Sequence, residues 1–246
     1  MRFFFSMKDL FLSFPLSNQC HALTTATSLG NLAYQVDDGK DVLKRREVLS
    51  KAIGIPLDRF VFVHQSHSDK ILKVTTADLG KGKDSFESGM ECDALYTYEK
   101  NVPLGVFHAD CVPIFFVNEK VSLVGIIHAG FKGTMKHVAY KAISAVLKQE
   151  KLNIEDFKFY IGPYRQKDSF VMDESTRKAV IEFGFEKAIF DDKFDNGFAN
   201  KLDLYDLGVK DSQISDCRLD TVTDDRLYSA YQKIPVGRLV SLIYLK

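Results

Sequence analysis

The sequence has 246 residues, 46% of them hydrophobic, which is ample for a sizeable core. Lysine and arginine together number 33, as do aspartate and glutamate, so the formal net charge is zero. This balance argues against recruitment of nucleic acid or of an anionic membrane by overall charge. We therefore predict a single domain over residues 1–246 with neither of these partners, and the sequence predicts no particular oligomeric state.

The amino-terminal segment and the cysteines indicate the compartment. Lys8 and Asp9 interrupt the apolar patches of residues 1–16 before a signal-peptide core is complete. No run of the chain approaches the ~18 apolar residues of a membrane span. The four cysteines include no Cys-x-x-Cys pair and do not suit a disulfide framework in a chain of this length. These features predict a cytoplasmic protein with reduced thiols.

The first part of the chain predicts short strands and one amphipathic helix. Val42, Leu49 and Ile53 share one face of that helix, and a Gly-x-Pro sequence ends it. The predicted elements are, in chain order, a strand and polar loop over 20–36, a helix over 41–56, strands over 59–64 and 71–74, a long surface loop over 75–91 and a strand over 92–97. Asn31, in the first polar loop, is a candidate substrate-binding residue.

A central apolar block predicts three buried strands with polar residues at their ends. The runs are rich in Val, Ile and Phe and occupy residues 102–107, 112–117 and 121–127. His108, Asp110 and Cys111 follow the first run, and His128 follows the third. A reactive group at a strand end is held by rigid backbone yet reaches the surface, so these ends are the first candidates for chemistry.

Beyond this block, helical and strand patterns continue. The predicted elements are a helix over 134–150, strands over 157–161 and 169–172, a helix from Asp173 to Phe183, a loop over 191–200, a helix over 202–209, an edge strand over 213–218 and an apolar strand over 238–245. Strands outnumber helices and do not alternate strictly with them. We therefore predict a mixed α/β fold, an α+β arrangement in which helices flank a mixed sheet.

His67, Cys111 and His128 form a candidate metal site, although they are separated by 44 and 17 positions and only the fold could bring them together. Two imidazoles and one thiolate suit zinc or copper, and a set of three protein ligands leaves a fourth position for water or substrate. In the alternative interpretation, Cys111 is a buried core thiol and each histidine packs alone.

Three further polar groups have both a functional and a structural interpretation. Lys132 and the backbone N–H groups of HAGFKG favour an anion at a helix start, but Gly130 and Gly133 could instead only make a tight turn. Asp110 could transfer a proton or cap the bend beside Cys111. Arg46 could bind phosphate or a sugar hydroxyl, or lie on a solvated helix face.

Several sequence blocks occur together and in a fixed order. They are QSHSDKI at 65–71, CDALYT at 92–97, HADCVPIFF at 108–116, HAGFKG at 128–133, IGP at 161–163 and GR at 237–238. With these blocks the chain resembles, from about Ser28 onward, the polyphenol oxidase or laccase-domain family, also described as bacterial multifunctional purine nucleoside phosphorylases.

The resemblance implies that His67, Cys111 and His128 are metal ligands, in a single three-layer α/β/α domain that shares a Cys–His arrangement with the cytotoxic necrotizing factors. It implies cleavage of inosine, guanosine or adenosine by phosphate to the free base and ribose 1-phosphate, with adenosine deamination as an additional activity. Zinc is the expected metal and copper the alternative. We expect Asp110, Cys111 and His128 to act at the reacting atoms and Arg46 and Lys132 to hold phosphate.

The chain departs from the family pattern at two places, which leaves other functions open. Phe131 and Lys132 replace a Trp-Arg pair, and Ser229-Ala230-Tyr231-Gln232 replaces Ser-x-Arg-Arg; a lysine lacks the bidentate fork of arginine. The alternatives are a metal-free thiol enzyme with Cys111 as nucleophile and His128 as base, a copper-dependent phenol oxidase, and a catalytically silent binding protein.

Overall fold

The computed structural model describes residues 9–36, 39–231 and 237–246. Within these ranges the strands form a five-stranded sheet, a six-stranded sheet and a short separate hairpin. The strands are β1 (Phe11–Phe14), β2 (Cys20–Thr25), β3 (Val61–Phe62), β4 (Ile71–Val74), β5 (Ala94–Thr97), β6 (Leu104–His108), β7 (Val112–Asn118), β8 (Leu123–Ala129), β9 (Phe157–Ile161), β10 (Ile189–Phe190), β11 (Lys193–Phe194), β12 (Ile214–Asp216) and β13 (Leu239–Leu245). The helices are α1 (Gly39–Ile53), α2 (Phe131–Met135), α3 (Val138–Glu150), α4 (Glu174–Glu182) and α5 (Asn196–Asp206).

The five-stranded sheet has the order β1-β2-β13-β6-β3. Strand β13 pairs antiparallel with both β2 and β6, and β3 joins the edge parallel to β6. Helix α1 covers one face of this sheet, where the Arg46 guanidinium lies over the rings of Phe62 and Phe107. The opposite face packs against the second sheet.

The six-stranded sheet has the order β12-β9-β7-β8-β5-β4, with antiparallel pairs in its centre and a parallel pair at each edge. Every residue of β7 and β8 is buried. Phe115 and Val117 of β7 belong to the core shared with the five-stranded sheet, whereas Ile114 and Phe116 pack with α3. A strand buried on both faces is expected to be apolar throughout, as these runs are.

The two sheets face each other between the helices. The ring of Phe14 in β1 lies 5.7 Å from that of Phe115 and 5.0 Å from that of Tyr160 in β9. The predicted mixed α/β class is confirmed, and the β layer of the predicted α/β/α arrangement consists of two facing sheets. The prediction of one domain over residues 1–246 stays a prediction.

The chain crosses from one sheet to the other beside the candidate metal ligands. Strand β6 belongs to the five-stranded sheet and β7 to the six-stranded sheet, and residues 109–111 connect them. Cys111 therefore lies where the two sheets meet, and neighbouring β8 ends on the same side with His128 and Ala129. The crossover places polar groups at the rim of an otherwise apolar sandwich.

The structure differs from the predicted elements in three segments. The predicted helix over 134–150 is divided into α2 and α3, because His137 has a left-handed backbone with φ of 58°. Residues 169–172 form no strand; one isolated bridge joins Val171 to Lys193. The predicted loop over 191–200 contains β11 and the start of α5, because the Asp195 side chain accepts from Phe198 N at 2.9 Å and caps that helix.

Two further observations concern the helices and the cysteines. Among the described residues, every helix is too short or too polar to cross a membrane. Cys20, Cys92, Cys111 and Cys217 are unpaired thiols. Residues 1–8 of the apolar amino-terminal segment lie outside the described residues.

Candidate metal site and adjoining pocket

The fold brings His67, Cys111 and His128 together. His67 lies in the loop between β3 and β4, Cys111 in the β6–β7 crossover and His128 near the end of β8. Their ligand atoms all lie within 4.8 Å of one another, and the two imidazole rings are 5.2 Å apart. A thiolate and two imidazoles at this separation are a donor set that zinc and copper accept.

Asp93, immediately before β5, organises two of these ligands. Its carboxylate is buried, and its Oδ1 lies 2.8 Å from Nδ1 of His128. The same carboxylate accepts from the backbone N–H groups of Ser66, His67 and Ser68, at 3.3, 3.2 and 2.5 Å. With the proton of His128 held on Nδ1, the Nε2 lone pair is left for a ligand.

The electrostatics of Asp93 follow from those contacts. Burial raises its pKa, but the hydrogen bonds from His128 and Ser68 outweigh burial and lower the pKa to about 2. Asp93 is therefore ionised at neutral pH. Asp93 had no predicted role; the signal for it is its position one residue before a buried strand in CDALYT.

The loop that carries His67 is fixed by the protein itself. The Gln65 side chain donates to the carbonyl of Phe107 at 2.6 Å and accepts from its N–H at 2.9 Å, as a neighbouring strand would. Lys136 Nζ donates to the carbonyl oxygen of His67 at 2.8 Å. His67 itself has a left-handed backbone with φ of 57°. These contacts fix the backbone of the loop from which the imidazole projects.

Gly130 provides the space in which the ligand side chains approach. A Cβ atom at this position would lie 2.6 Å from Cδ2 of His67 and 3.0 Å from Sγ of Cys111. Any larger residue would push these side chains away from each other. The close approach at Gly130 and the chemistry of the donor set together show that the residues present fit a metal ion.

Cys111 and His128 influence each other's charge. Burial raises the pKa of the Cys111 thiol, but His128 and His67 outweigh this effect and lower it below the ordinary value. Burial lowers the pKa of His128, whereas Cys111 and Asp93 raise it, and the net direction is upward. The arrangement favours a thiolate at Cys111, which is the form that binds a metal or acts as a nucleophile.

Cys111 also borders a pocket of about 210 Å³. Aromatic and charged side chains form much of its wall, including Asp110, Phe131, Arg165, Phe170 and Tyr231. Phe131, which occupies the position of a tryptophan in the family pattern, packs edge-to-face on Phe194 at 5.8 Å. The pocket is thus a cleft with aromatic and charged walls, and it opens beside Cys111 of the candidate metal ligands.

Asp110 has a geometry that suits both proton transfer and capping of the bend beside Cys111. Its backbone φ is 87°, and its carboxylate accepts from Thr221 Oγ1 at 2.7 Å and from Ala230 N at 2.8 Å. The side chain therefore stabilises the crossover bend, and it also lines the pocket. Its catalytic role stays a prediction.

The three predicted substrate-binding residues lie apart from the walls of this pocket. The Arg46 guanidinium is buried and donates to the carbonyl oxygens of Leu32, Gly82 and Lys83. Asn31 directly precedes Leu32, one of these acceptors, and its Oδ1 accepts from the backbone N–H of Arg238 at 2.9 Å.

Lys132 is exposed on α2, a helix of only five residues. Binding of substrate or phosphate by Asn31, Arg46 and Lys132 stays a prediction. Gln232, at one of the departures from the family pattern, lies outside the described residues.

Comparison with known proteins agrees with the resemblance seen in the motifs. The family model described as multi-copper polyphenol oxidoreductase laccase matches residues 21–246. The purine nucleoside phosphorylase YlmD of Bacillus subtilis is 30% identical over 249 residues, which cover 97% of this chain and 90% of that protein. The purine nucleoside phosphorylase SSP1584 of Staphylococcus saprophyticus is 30% identical over 223 residues, covering 87% and 84% respectively.

Solved structures show the same fold. The hypothetical protein YfiH of Bacillus licheniformis superposes with a TM-score of 0.90 at 27% identity, covering 97% of each chain. YlmD of Geobacillus stearothermophilus superposes with a TM-score of 0.87 at 27% identity, covering 95% of this chain and 94% of that one. The names of the relatives support an enzyme of the purine nucleoside phosphorylase kind.

Proposed function

Because this chain belongs to the multi-copper polyphenol oxidoreductase laccase family, we propose that it is a metal-dependent purine nucleoside phosphorylase. The reaction joins the ribose of inosine, guanosine or adenosine to phosphate and releases the free base. The observation that supports this proposal best is the cluster of His67, Cys111 and His128, whose ligand atoms lie within 4.8 Å of one another beside an aromatic pocket. Adenosine deamination at the same site is a second activity that we propose.

The metal in this proposal is zinc, held by His67, Cys111 and His128, with copper as the alternative. When bound, such an ion supplies Lewis-acid chemistry to an oxygen of the substrate or of water. The thiolate of Cys111 and the Nε2 lone pair of His128 suit it, because Asp93 keeps the proton of His128 on Nδ1. The four unpaired cysteines support a cytoplasmic location for the enzyme.

The pocket supplies the rest of the substrate contacts. The rings of Phe131, Phe170 and Tyr231 line it, and purine bases stack well on aromatic rings. We assign to the Asp110 carboxylate, which accepts from Thr221 and Ala230, the transfer of a proton to or from the departing base. Neither Lys132 nor Arg46 lines the pocket, so phosphate requires another cationic partner there.

Incubation of the purified protein with inosine and adenosine, with and without phosphate, tests the function. Chromatography should detect free base and ribose 1-phosphate only when phosphate is present, and metal analysis should find about one zinc per chain. Cys111→Ala should lose both the metal and turnover. Cys217→Ala is the matched control, because Cys217 is a thiol outside the ligand cluster. A folded, zinc-loaded protein that converts no nucleoside would sink the proposal.

A metal-free thiol enzyme is the second candidate, favoured by the Cys111, His128 and Asp93 contacts, which resemble a nucleophile, a base and its orienting carboxylate. Full activity in metal-free protein, lost when Cys111 is alkylated, would favour this candidate over the first. Copper-dependent phenol oxidation is less well supported. The described residues contain one such ligand cluster, whereas four-electron reduction of oxygen generally needs several coppers.

A further inference from the structure

Arg165 is a largely buried cation in the wall of the pocket, and it had no predicted role. It follows β9 after Gly162 and Pro163, and only 7% of its surface is exposed. Its backbone N–H donates to the carbonyl oxygen of Asp110 at 3.0 Å, which ties it to the crossover that carries Cys111. Arg165, Asp110 and Cys111 line the same pocket of about 210 Å³.

The guanidinium of Arg165 is held between two aromatic rings. Its Cζ atom lies 4.3 Å from the centre of the Phe170 ring and 3.5 Å from the centre of the Tyr231 ring. Nε donates to the carbonyl oxygen of Ser169 at 2.6 Å. Stacking uses the faces of the guanidinium and leaves the N–H groups at its edge in the plane where a carboxylate or phosphate binds. The group is therefore oriented before any ligand arrives.

No carboxylate neutralises this cation among the described residues. Arg165 takes part in none of the ion pairs of that part of the chain, and neither Nη atom has a hydrogen-bond acceptor there. The nearby Asp110 carboxylate already accepts from Thr221 and Ala230. The Nη atoms of Arg165 are not among the fully buried atoms that lack a partner, so they reach the open side of the pocket and are available to a ligand of opposite charge.

We propose that Arg165 binds the phosphate that attacks the nucleoside, through a bidentate contact from its two Nη atoms. This inference rests on the proposed phosphorylase activity and identifies the residue that selects one of its two substrates. A neutral purine base would leave the charge uncompensated, whereas a phosphate dianion matches both the charge and the fork of a guanidinium. The neighbouring ring of Phe131, which Arg165 does not stack on, is left for the base.

Binding measurements on zinc-loaded protein test this proposal independently of turnover. Inorganic phosphate is titrated by calorimetry into the wild type, Arg165→Gln, Arg165→Lys and Lys167→Gln. Loss of a charge-assisted bidentate contact should weaken phosphate binding at least ~30-fold in Arg165→Gln. Arg165→Lys should retain intermediate affinity, since it keeps the charge but not the fork. Lys167→Gln, which removes a nearby lysine from outside the pocket, should bind as the wild type does.

Steady-state kinetics adds a readout that a purely structural role would not change. In Arg165→Gln the KM for phosphate should rise by a similar factor, while the KM for inosine stays within about twofold of the wild-type value. Inosine 5′-monophosphate is titrated in parallel. If the nucleotide binds in an Arg165-dependent manner and inorganic phosphate does not, the site recognises the phosphate group of a nucleotide and the proposal is overturned.

The outcomes separate this proposal from the proposed function. Arg165-dependent phosphate binding without turnover of any nucleoside would leave the anion site standing and reject the phosphorylase. Normal turnover with an unchanged phosphate KM in Arg165→Gln, or a loss of phosphate binding in Lys132→Gln alone, would overturn the role of Arg165 and leave the phosphorylase standing. Circular dichroism and melting temperature check the fold of each variant, and Arg165→Lys decides the matter if Arg165→Gln does not fold.

Discussion

Two buried arginines of this fold differ in the number of hydrogen bonds that their guanidinium groups donate. Beneath α1, the guanidinium of Arg46 donates to three carbonyl oxygens and lies over the rings of Tyr34, Phe62 and Phe107. In the pocket beside Cys111, Arg165 is also stacked between aromatic rings, but it donates from its guanidinium only to Ser169 among the described residues. The two residues have similar burial and different numbers of satisfied donors.

This difference separates a structural polar group from a ligand-binding one. Hydrogen-bond capacity that is used up inside the protein stabilises the fold, and unused capacity at a pocket is available to a ligand. Arg46 links residues 32, 82 and 83 and belongs to the first kind. The Nη atoms of Arg165, which have no acceptor among the described residues, belong to the second kind.

The largest expected effect is on folding stability. Arg46→Met leaves three carbonyl oxygens without their donor in a buried position, so the free energy of unfolding should fall by about 3–5 kcal/mol. Arg165→Met removes one hydrogen bond and should reduce it by no more than about 1 kcal/mol. Urea denaturation of both variants measures these values. Equal losses of unfolding free energy in the two variants would contradict the distinction between a structural and a ligand-binding arginine.

Asp93→Asn should act on the metal rather than on the substrate. The substitution removes the charge that orients His128, and loss of such a partner typically weakens metal binding about 10- to 100-fold. Competition with a zinc-binding dye gives the dissociation constant. Asp203→Asn is the matched control, because Asp203 contacts His137 at 2.7 Å with similar geometry but outside the ligand cluster. Similar zinc affinities in the two variants would contradict the role assigned to Asp93.

Gly130→Ala should have the smallest effect and act through geometry alone. Its methyl group would meet His67 and Cys111 at 3.0 Å or less, and the displaced ligands should bind zinc about tenfold more weakly. Gly133→Ala is a control from the same motif, because its Cβ would have no neighbour nearer than 3.5 Å. If Gly133→Ala weakened zinc binding as strongly, the space at Gly130 would not be the cause.

The sequence predicted the parts of the fold that local apolar patterns determine. The three central runs are β6, β7 and β8, and the Asp173 cap correctly marks the start of α4. Long-range contacts determine the parts that were missed. The break between α2 and α3 depends on Asp203, which lies 66 residues beyond His137 and bonds its Nδ1. The short strand β1 is defined by its pairing with β2 rather than by its own four residues.

The sequence also predicted part of the candidate site, namely the metal ligands, and missed Arg165. Spacing alone could not place His67 near Cys111 and His128; the family motifs predicted the set, and the fold brings the three together. The burial of Arg46 could have been read from the helix pattern, because Arg46 lies four residues after Val42 and three before Leu49, on the apolar face. Arg165 lies four residues after β9, so attention to polar residues beyond strand ends would have found it.

The position of β13 has a consequence for the order of folding. Ser241 in β13 bonds to Thr24 in β2 across 217 residues, whereas β7 and β8 form a hairpin between near neighbours in the chain. Because distant contacts close slowly, we expect the six-stranded sheet to form first and the five-stranded sheet later. Gln65, which fixes the His67 loop, is anchored to β6 of the later sheet. Zinc uptake during refolding should therefore lag behind the protection of amide hydrogens in β7 and β8, and the metal would report the last stage of assembly.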